Sequence, residues 1–263
     1  MKRQKQFERL DKILANSGCG TRKAVFRLVR SGAVCVDGAV VTQPQMHVDV
    51  DSSAISVNGT PLSVHVQRTV MLNKPAGTVC SRKDGSHPTV YDLLPPELGH
   101  SLSGAALDSV GRLDVDTEGL LLFTTDGDLN HFLTAPKRHV PKTYEVHLRE
   151  NPSPQERDRY KSQLSMGLHI AGDGHDGAVD CLPARLEWNE AQEAVCRLTV
   201  YEGRFHEIKR MFRALGNEVV YLKRLSVNGL SLDPSLAPGE FRELSAEEVE
   251  LLWKPGPACI QCG

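Results

Sequence analysis

Apolar residues recur at helical spacing at Leu10, Ile13 and Leu14, and the stretch Ser17-Gly18-Cys19-Gly20 closes that run. Thr21 is placed to cap a second helix that ends at Ser31-Gly32. Its spacing turns Ala24, Leu28 and Val25 inward and leaves Arg22, Lys23, Arg27 and Arg30 outward. Two short β runs then flank Asp37-Gly38, a hairpin signal, and a second turn of the same kind, Asn58-Gly59, follows residues 54–57. Residues 64–68 read as a join. From Thr69 onward, strand-like runs dominate, clearest at 70–72, 119–124, 143–148 and 195–201. Residues 205–215 predict a helix with an apolar stripe of Ile208, Met211, Phe212 and Leu215, and with Lys209, Arg210 and Arg213 on another face. A further helix is predicted over 246–253. Mixed elements that do not alternate regularly point to an α+β chain, and no internal repeat is visible.

Composition narrows this picture only a little. In 263 residues, 40% apolar and 24% charged are ordinary globular values and exclude a disordered chain. No apolar run approaches a membrane span, since Gly119-Leu120-Leu121-Leu122-Phe123 is bracketed by Glu118 and Thr124. The polar start lacks the apolar stretch of a secretory signal, and seven scattered cysteines suit a reducing compartment. The expectation is a soluble cytoplasmic protein with no membrane partner.

Charge changes the picture more. The net charge is −2, yet residues 1–30 hold nine basic side chains against Glu8 and Asp11, a local +7. Such a head suggests an anionic partner, nucleic acid first, with a solvated basic helix face as the bland alternative.

Several motif-like strings lead nowhere. Asp114-Val115-Asp116-Thr117-Glu118-Gly119 begins like a calcium loop, but the twelfth position is Thr125 where a bidentate Glu is needed. Gly172-Asp173-Gly174-His175-Asp176-Gly177 has dinucleotide-type glycines without a strand before it or a helix after it. Cys259 and Cys262 form a lone pair in the tail, without a second pair at zinc spacing. Asp114 and Glu118 could imitate a glycosidase carboxylate pair, but two Trp and 5% aromatics do not furnish a sugar cleft. No metal site is predicted.

More specific is Gly111-Arg112-Leu113-Asp114-Val115-Asp116-Thr117-Glu118-Gly119-Leu120-Leu121, an acid between a turn and a hydrophobic strand with an Arg beside it. The string resembles the catalytic signature of pseudouridine synthases of the RsuA type. Met71-Leu72-Asn73-Lys74-Pro75-Ala76-Gly77 resembles the opening motif of that family, and Lys142-Thr143-Tyr144 its tyrosine motif. Glu202-Gly203-Arg204-Phe205-His206-Glu207-Ile208-Lys209-Arg210-Met211-Phe212 resembles its last motif, and Leu236-Ala237-Pro238-Gly239-Glu240-Phe241-Arg242 its closing segment. The head from Arg9 to Gly38 resembles the S4 RNA-binding domain. Two departures stand out: Glu207 where many relatives have Gln, and Lys209 where they have Arg, which loses the planar fork.

The resemblance implies an S4 domain over 7–66, a synthase domain with a mixed, mainly antiparallel sheet over 69–253, and a loose tail over 254–263. It implies isomerisation of a uridine in rRNA, 16S before 23S, on a small-subunit assembly intermediate, by a monomer without cofactor or metal. Asp114 is then the essential acid, Lys209 its cationic partner, and Tyr144 the stacking surface for an extruded uracil. Arg112 and Arg204 are assigned to substrate RNA, and Arg22, Lys23 and Arg27 to phosphate docking. A non-catalytic S4-domain assembly factor is the other class of reading.

Overall fold

The computed structural model describes residues 7–49, 53–62, 67–95, 98, 107–172, 174 and 177–254. Residues 64–66 of the predicted join, residues 255–263 of the predicted loose tail with Cys259 and Cys262, and Asp173, His175 and Asp176 of the glycine-bearing loop lie outside them. Two units separate: Met1–Arg68 with Pro95–Leu107, and Thr69–Leu94 with Asp108–Gly263.

The first unit opens with β1 (Phe7–Arg9), α1 (Leu10–Asn16) and α2 (Arg22–Arg30). It continues through β2 (Val34–Val36), β3 (Ala39–Val41), β4 (His47–Asp49), β5 (Ile55–Val57) and β6 (Thr60–Pro61). β1 pairs with β4, and a four-stranded antiparallel sheet runs β3-β2-β5-β6. Both predicted hairpin turns form, with Asp37 and Gly38 at φ 50° and 81° and Asn58 and Gly59 at 50° and 77°, the left-handed pair that such a turn demands. Leu10, Ile13 and Leu14 pack with Val25, Val29, Val34, Val36, Val48 and Ile55 in one core. The Thr21 hydroxyl accepts from the Ala24 N–H and so sets the phase of α2. That phase corrects one expectation: Val25 and Val29, one turn apart, face inward, and Ala24 is exposed. Arg22, Lys23, Arg27 and Arg30 are all exposed.

The second unit holds β7 (Thr69–Lys74), β8 (Asp108–Ser109), β9 (Glu118–Thr124), α3 (Gly127–Thr134), β10 (Lys142–Leu148) and α4 (Pro154–Met166). Then come β11 (His169–Ile170), β12 (Val179–Asp180), β13 (Arg185–Trp188), β14 (Val195–Val200) and α5 (Glu207–Ala214). β15 (Val219–Val227), β16 (Leu230–Ser231), β17 (Phe241–Glu243) and α6 (Ala246–Trp253) complete it. The main sheet runs β13-β14-β10-β15-β9-β7-β17, with β16 on β15 and β8 on β9. Among the described residues its pairings are antiparallel except β15 with β9. β9 is buried nearly throughout: Leu120 and Leu122 share a core with Leu129 and Leu133 of α3 and Leu252 of α6. Phe123, alternating with them, meets the edge of the Tyr91 ring.

The parallel pair needs a glycine. Gly119 sits opposite Arg224 at φ +97°, and a Cβ there would collide with the Arg224 carbonyl oxygen. Helices α3 and α4 and strand β15 are elements that the apolar pattern does not announce. Capping chemistry announces the helices: Asp126 accepts from Asp128 and Leu129 N–H groups, and Ser153 with Glu156 forms a reciprocal capping box.

Candidate active site

The Gly111 to Thr117 segment is the loop between β8 and β9, and a buried lysine holds its shape. Lys74, fully buried at the end of β7, donates through Nζ to the carbonyls of Thr117 (2.8 Å), Pro75 (3.1 Å) and Val115 (3.4 Å). The Gly77 N–H donates to the same Val115 carbonyl at 2.7 Å. Burial pushes the Lys74 pKa down. Thr117 and Leu113 are buried, so the backbone is anchored on both sides of Asp114 and the side chain of Asp114 projects from a fixed turn.

Opposite it stands α5. Lys209 Nζ lies 2.6 Å from Asp116 Oδ1 and 3.3 Å from Asp114 Oδ2. His206, in the left-handed conformation at the start of α5, brings Nε2 to 3.6 Å from Asp114 Oδ1. The Asp114 side chain is 26% exposed and that of Asp116 64%, so the first faces inward and the second outward. Burial works to raise the Asp116 pKa, but Lys209 overrides it and the net shift is downward.

A cavity of about 160 Å³ opens beside this pair, lined in part by Arg112, Asp114, Tyr144, Arg204, Lys209 and Arg224. That is smaller than the roughly 300–1,000 Å³ of sites that engulf a drug-sized ligand, and it suits one inserted ring. Tyr144 is buried on β10 opposite Arg224 of β15, and burial raises its pKa, which keeps the phenol neutral. Arg224 is buried too and donates from Nε to the Leu120 carbonyl at 2.7 Å. Lys142 also lines the cavity; burial, then Arg224, lowers its pKa to about 8.

The far wall carries two buried acids, Glu202 and Glu207. Arg204 Nε donates to Glu202 Oε2 at 2.6 Å, and the Leu182 N–H to Glu202 Oε1 at 2.7 Å. Burial, followed by the Glu202 charge, pushes the Glu207 pKa up to about 7. One atom each of Cys181, Glu202 and Glu207 lies within 4.8 Å of the others, a spacing that a cation could use. The donor chemistry fits a metal poorly: burial raises the Cys181 thiol to about 12, and a guanidinium already occupies Glu202.

The signature of RNA pseudouridylate synthases matches residues 68–214, and that of the S4 domain residues 8–53. The chain belongs to the RNA pseudouridylate synthase family. It is an isomerase by that membership, with an N-terminal S4 domain. It is 46% identical over 249 residues to YtzG of Bacillus subtilis (strain 168), an uncharacterized RNA pseudouridine synthase, covering 94% of this chain and 99% of that one. It is 40% identical over 242 residues to ribosomal small subunit pseudouridine synthase A of Escherichia coli (strain K12), covering 92% and 98%. A pseudouridylate synthase crystal structure superposes with a TM-score of 0.62 at 36% identity, covering 93% of this chain and 99% of that one.

Of the residues singled out from the sequence of this synthase, Asp114, Tyr144, Lys209, Arg112 and Arg204 line one cavity, although they come from three separate motifs. Arg22, Lys23 and Arg27 are exposed on α2 of the S4 unit. The expected pairing of Lys209 with Asp114 is present at 3.3 Å, and Asp116 is a second and nearer partner. Arg112 is exposed at the rim of the lining. One expectation needs correction. Arg210, expected on the outer face with Lys209 and Arg213, is buried on α5, because the chain at Ala171 and Gly177 covers it and takes its hydrogen bonds, with Phe205 accepting another. The site also holds residues with no assigned role in the sequence reading: Lys74, Lys142, Glu202, His206 and Glu207 sit inside quoted motifs, and Arg224 lies in the unannounced strand β15.

Proposed function

We propose that this synthase converts a specific uridine of 16S rRNA to pseudouridine, with Asp114 as the essential acid. Asp114 at the wall of a ring-sized cavity, 3.3 Å from a lysine ammonium and sharing that cavity with Tyr144, is the observation that carries the reading. In the reaction the N1–C1′ bond of uridine breaks, the uracil turns, and C5 bonds to C1′. C5 loses its proton and N1 gains one, so atoms balance without redox change, and the chemistry calls for no cofactor or metal. Asp114 begins it as a carboxylate, either attacking the ribose or removing a ribose proton, and Lys209, 3.3 Å away, orients it. Tyr144 offers a neutral aromatic face to the extruded base. Arg112 and Arg204, at the cavity, take the RNA backbone or the gap that the base leaves.

The S4 domain over 7–66 docks the RNA for the catalytic domain over 69–253, with 254–263 as a tail. Arg22 and Lys23 occupy the first turn of α2, where the helix dipole disfavours cations, and an anionic partner would compensate. The names of the small-subunit relatives favour 16S over 23S rRNA. The protein works as a cytoplasmic monomer on a small-subunit assembly intermediate. Among the described residues the cysteines are free and no helix is long and apolar enough to cross a membrane.

The test is pseudouridine-specific sequencing of rRNA from cells carrying wild type, Asp114→Asn or no protein. One 16S position should be modified only by wild type, while purified Asp114→Asn binds the RNA within a few-fold of wild type. A lost 23S position would move the target, and activity of Asp114→Asn above about 1% would give the chemistry to another residue.

A further inference from the structure

Glu202 and Glu207 are 8% and 5% exposed, and a carboxyl oxygen of one lies within 4.8 Å of a carboxyl oxygen of the other. As two carboxylates they would offer only acceptors, and Glu207 Oε1 is buried with no donor facing it. The cations nearby do not reach Glu207 Oε1. Arg204 pairs with Glu202, whereas Lys142, from β10, gives Nζ to the Val140 carbonyl at 3.1 Å. Arg210, one turn along α5, donates to the Ala171, Gly177 and Phe205 carbonyls. Tyr144 from β10 and Cys181 from the segment after β12 face the pair, and burial keeps both protonated. One proton between the two acids would give Glu207 Oε1 its missing partner.

We propose that Glu207 is a positioning residue that works as a neutral acid, sharing one proton with Glu202 so that the closed pair holds Arg204 at the cavity. Both acids grip that residue. Glu202 Oε2 accepts from Arg204 Nε at 2.6 Å, and Glu207 Oε2 accepts from the Arg204 backbone N–H at 3.2 Å. With the proton in place, the Glu207 O–H donates to Glu202, and the otherwise orphaned oxygen is satisfied. Once the proton leaves to solvent, two like charges face each other in a buried wall, and the Arg204 segment loosens. The role of Arg204 in RNA contact rests on the function proposed above; the shared proton does not. A glutamine at 207 would mimic the protonated acid at every pH.

Two measurements on the full chain separate these parts. The first follows the carboxyl signals of ¹³C-labelled glutamate by NMR from pH 5 to 9 in wild type, Glu207→Gln and Glu202→Gln. One wild-type carboxyl should titrate near neutrality, vanish in Glu207→Gln, and move toward the ordinary glutamate range in Glu202→Gln. The second measures affinity for a 16S rRNA transcript at pH 6 and pH 8.5. Wild type should bind about tenfold more weakly at the higher pH, within the limit of tenfold per pH unit for one linked proton. Glu207→Gln and Arg204→Ala should be flat, while any contribution from His206 persists in both. Wild-type glutamates that all titrate below about pH 5.5 would overturn the shared proton, whether or not the protein modifies RNA. A neutral titration with an affinity profile unchanged in Glu207→Gln or Arg204→Ala would overturn the positioning of Arg204.

Discussion

Lys209 stands 3.3 Å from Asp114 and closer still, at 2.6 Å, to Asp116, so the ammonium beside the candidate catalytic acid is tethered by a second carboxylate two residues along. Asp116 is mostly exposed and can hold Lys209 without leaving the loop surface. The arrangement ties the lysine to both acids of the loop.

Replacing Lys209 should separate charge from geometry. Lys209→Met is expected to lower single-turnover pseudouridine formation at neutral pH by about 100-fold or more, since Asp114 loses its cation. Lys209→Arg should stay within about tenfold, because a guanidinium fork can reach both acids. Asp116→Asn should cost less than Asp114→Asn. Asp116 has a depressed pKa in the fold, so its stabilisation is present above its ordinary value of about 3.9 and is lost as pH falls through the lowered one. The stability gap between wild type and Lys209→Met should therefore be full above about pH 4 and narrow below it. Equal turnover of the Met and Arg variants would remove Lys209 from the mechanism.

Lys74 should matter more to turnover than to binding. Lys74→Met keeps the length of the side chain but takes the lysine donor from the Thr117 carbonyl, while those of Val115 and Pro75 keep the Gly77 N–H and the Thr78 hydroxyl. A buried orphan costs about 1–3 kcal/mol, offset in part because a desolvated ammonium is removed. A net loss of about 1–3 kcal/mol in denaturant unfolding is expected, with kcat falling at least tenfold and RNA affinity little changed. A folded variant with wild-type kcat would show that the loop keeps its shape without Lys74.

The S4 helix should be read through salt. Reversing Arg22, Lys23 and Arg27 to Glu on the exposed face of α2 leaves its core contacts, Val25 and Val29, untouched. Affinity at low salt should drop, and the slope of log affinity against log salt should flatten by roughly 0.7–0.9 per lost phosphate contact. Modification of rRNA should fall sharply, while a short RNA at high concentration is still isomerised slowly. An unchanged slope with full modification would reduce the basic helix to a solvated face.

The sequence by itself determined what is local. Asp37-Gly38 and Asn58-Gly59 set both hairpin turns through φ > 0, Thr21 capped α2, and the stripe Ile208, Met211, Phe212 and Leu215 made α5, because such choices depend on a few neighbouring residues. It also supplied the ordered motifs that brought Asp114, Tyr144 and Lys209 forward. Tertiary structure decided what depends on distant partners. Only the place of β15 between β9 and β10 puts Arg224 beside both Gly119 and Tyr144, and nothing in the polar residues of β15 announces a central strand. Arg210 looks exposed in a helical projection, yet carbonyls more than thirty residues away in sequence bury it. The same holds for charge. Glu202 and Glu207 are unremarkable acids along the chain, and their shared environment arises only when the fold removes both from water and sets them face to face.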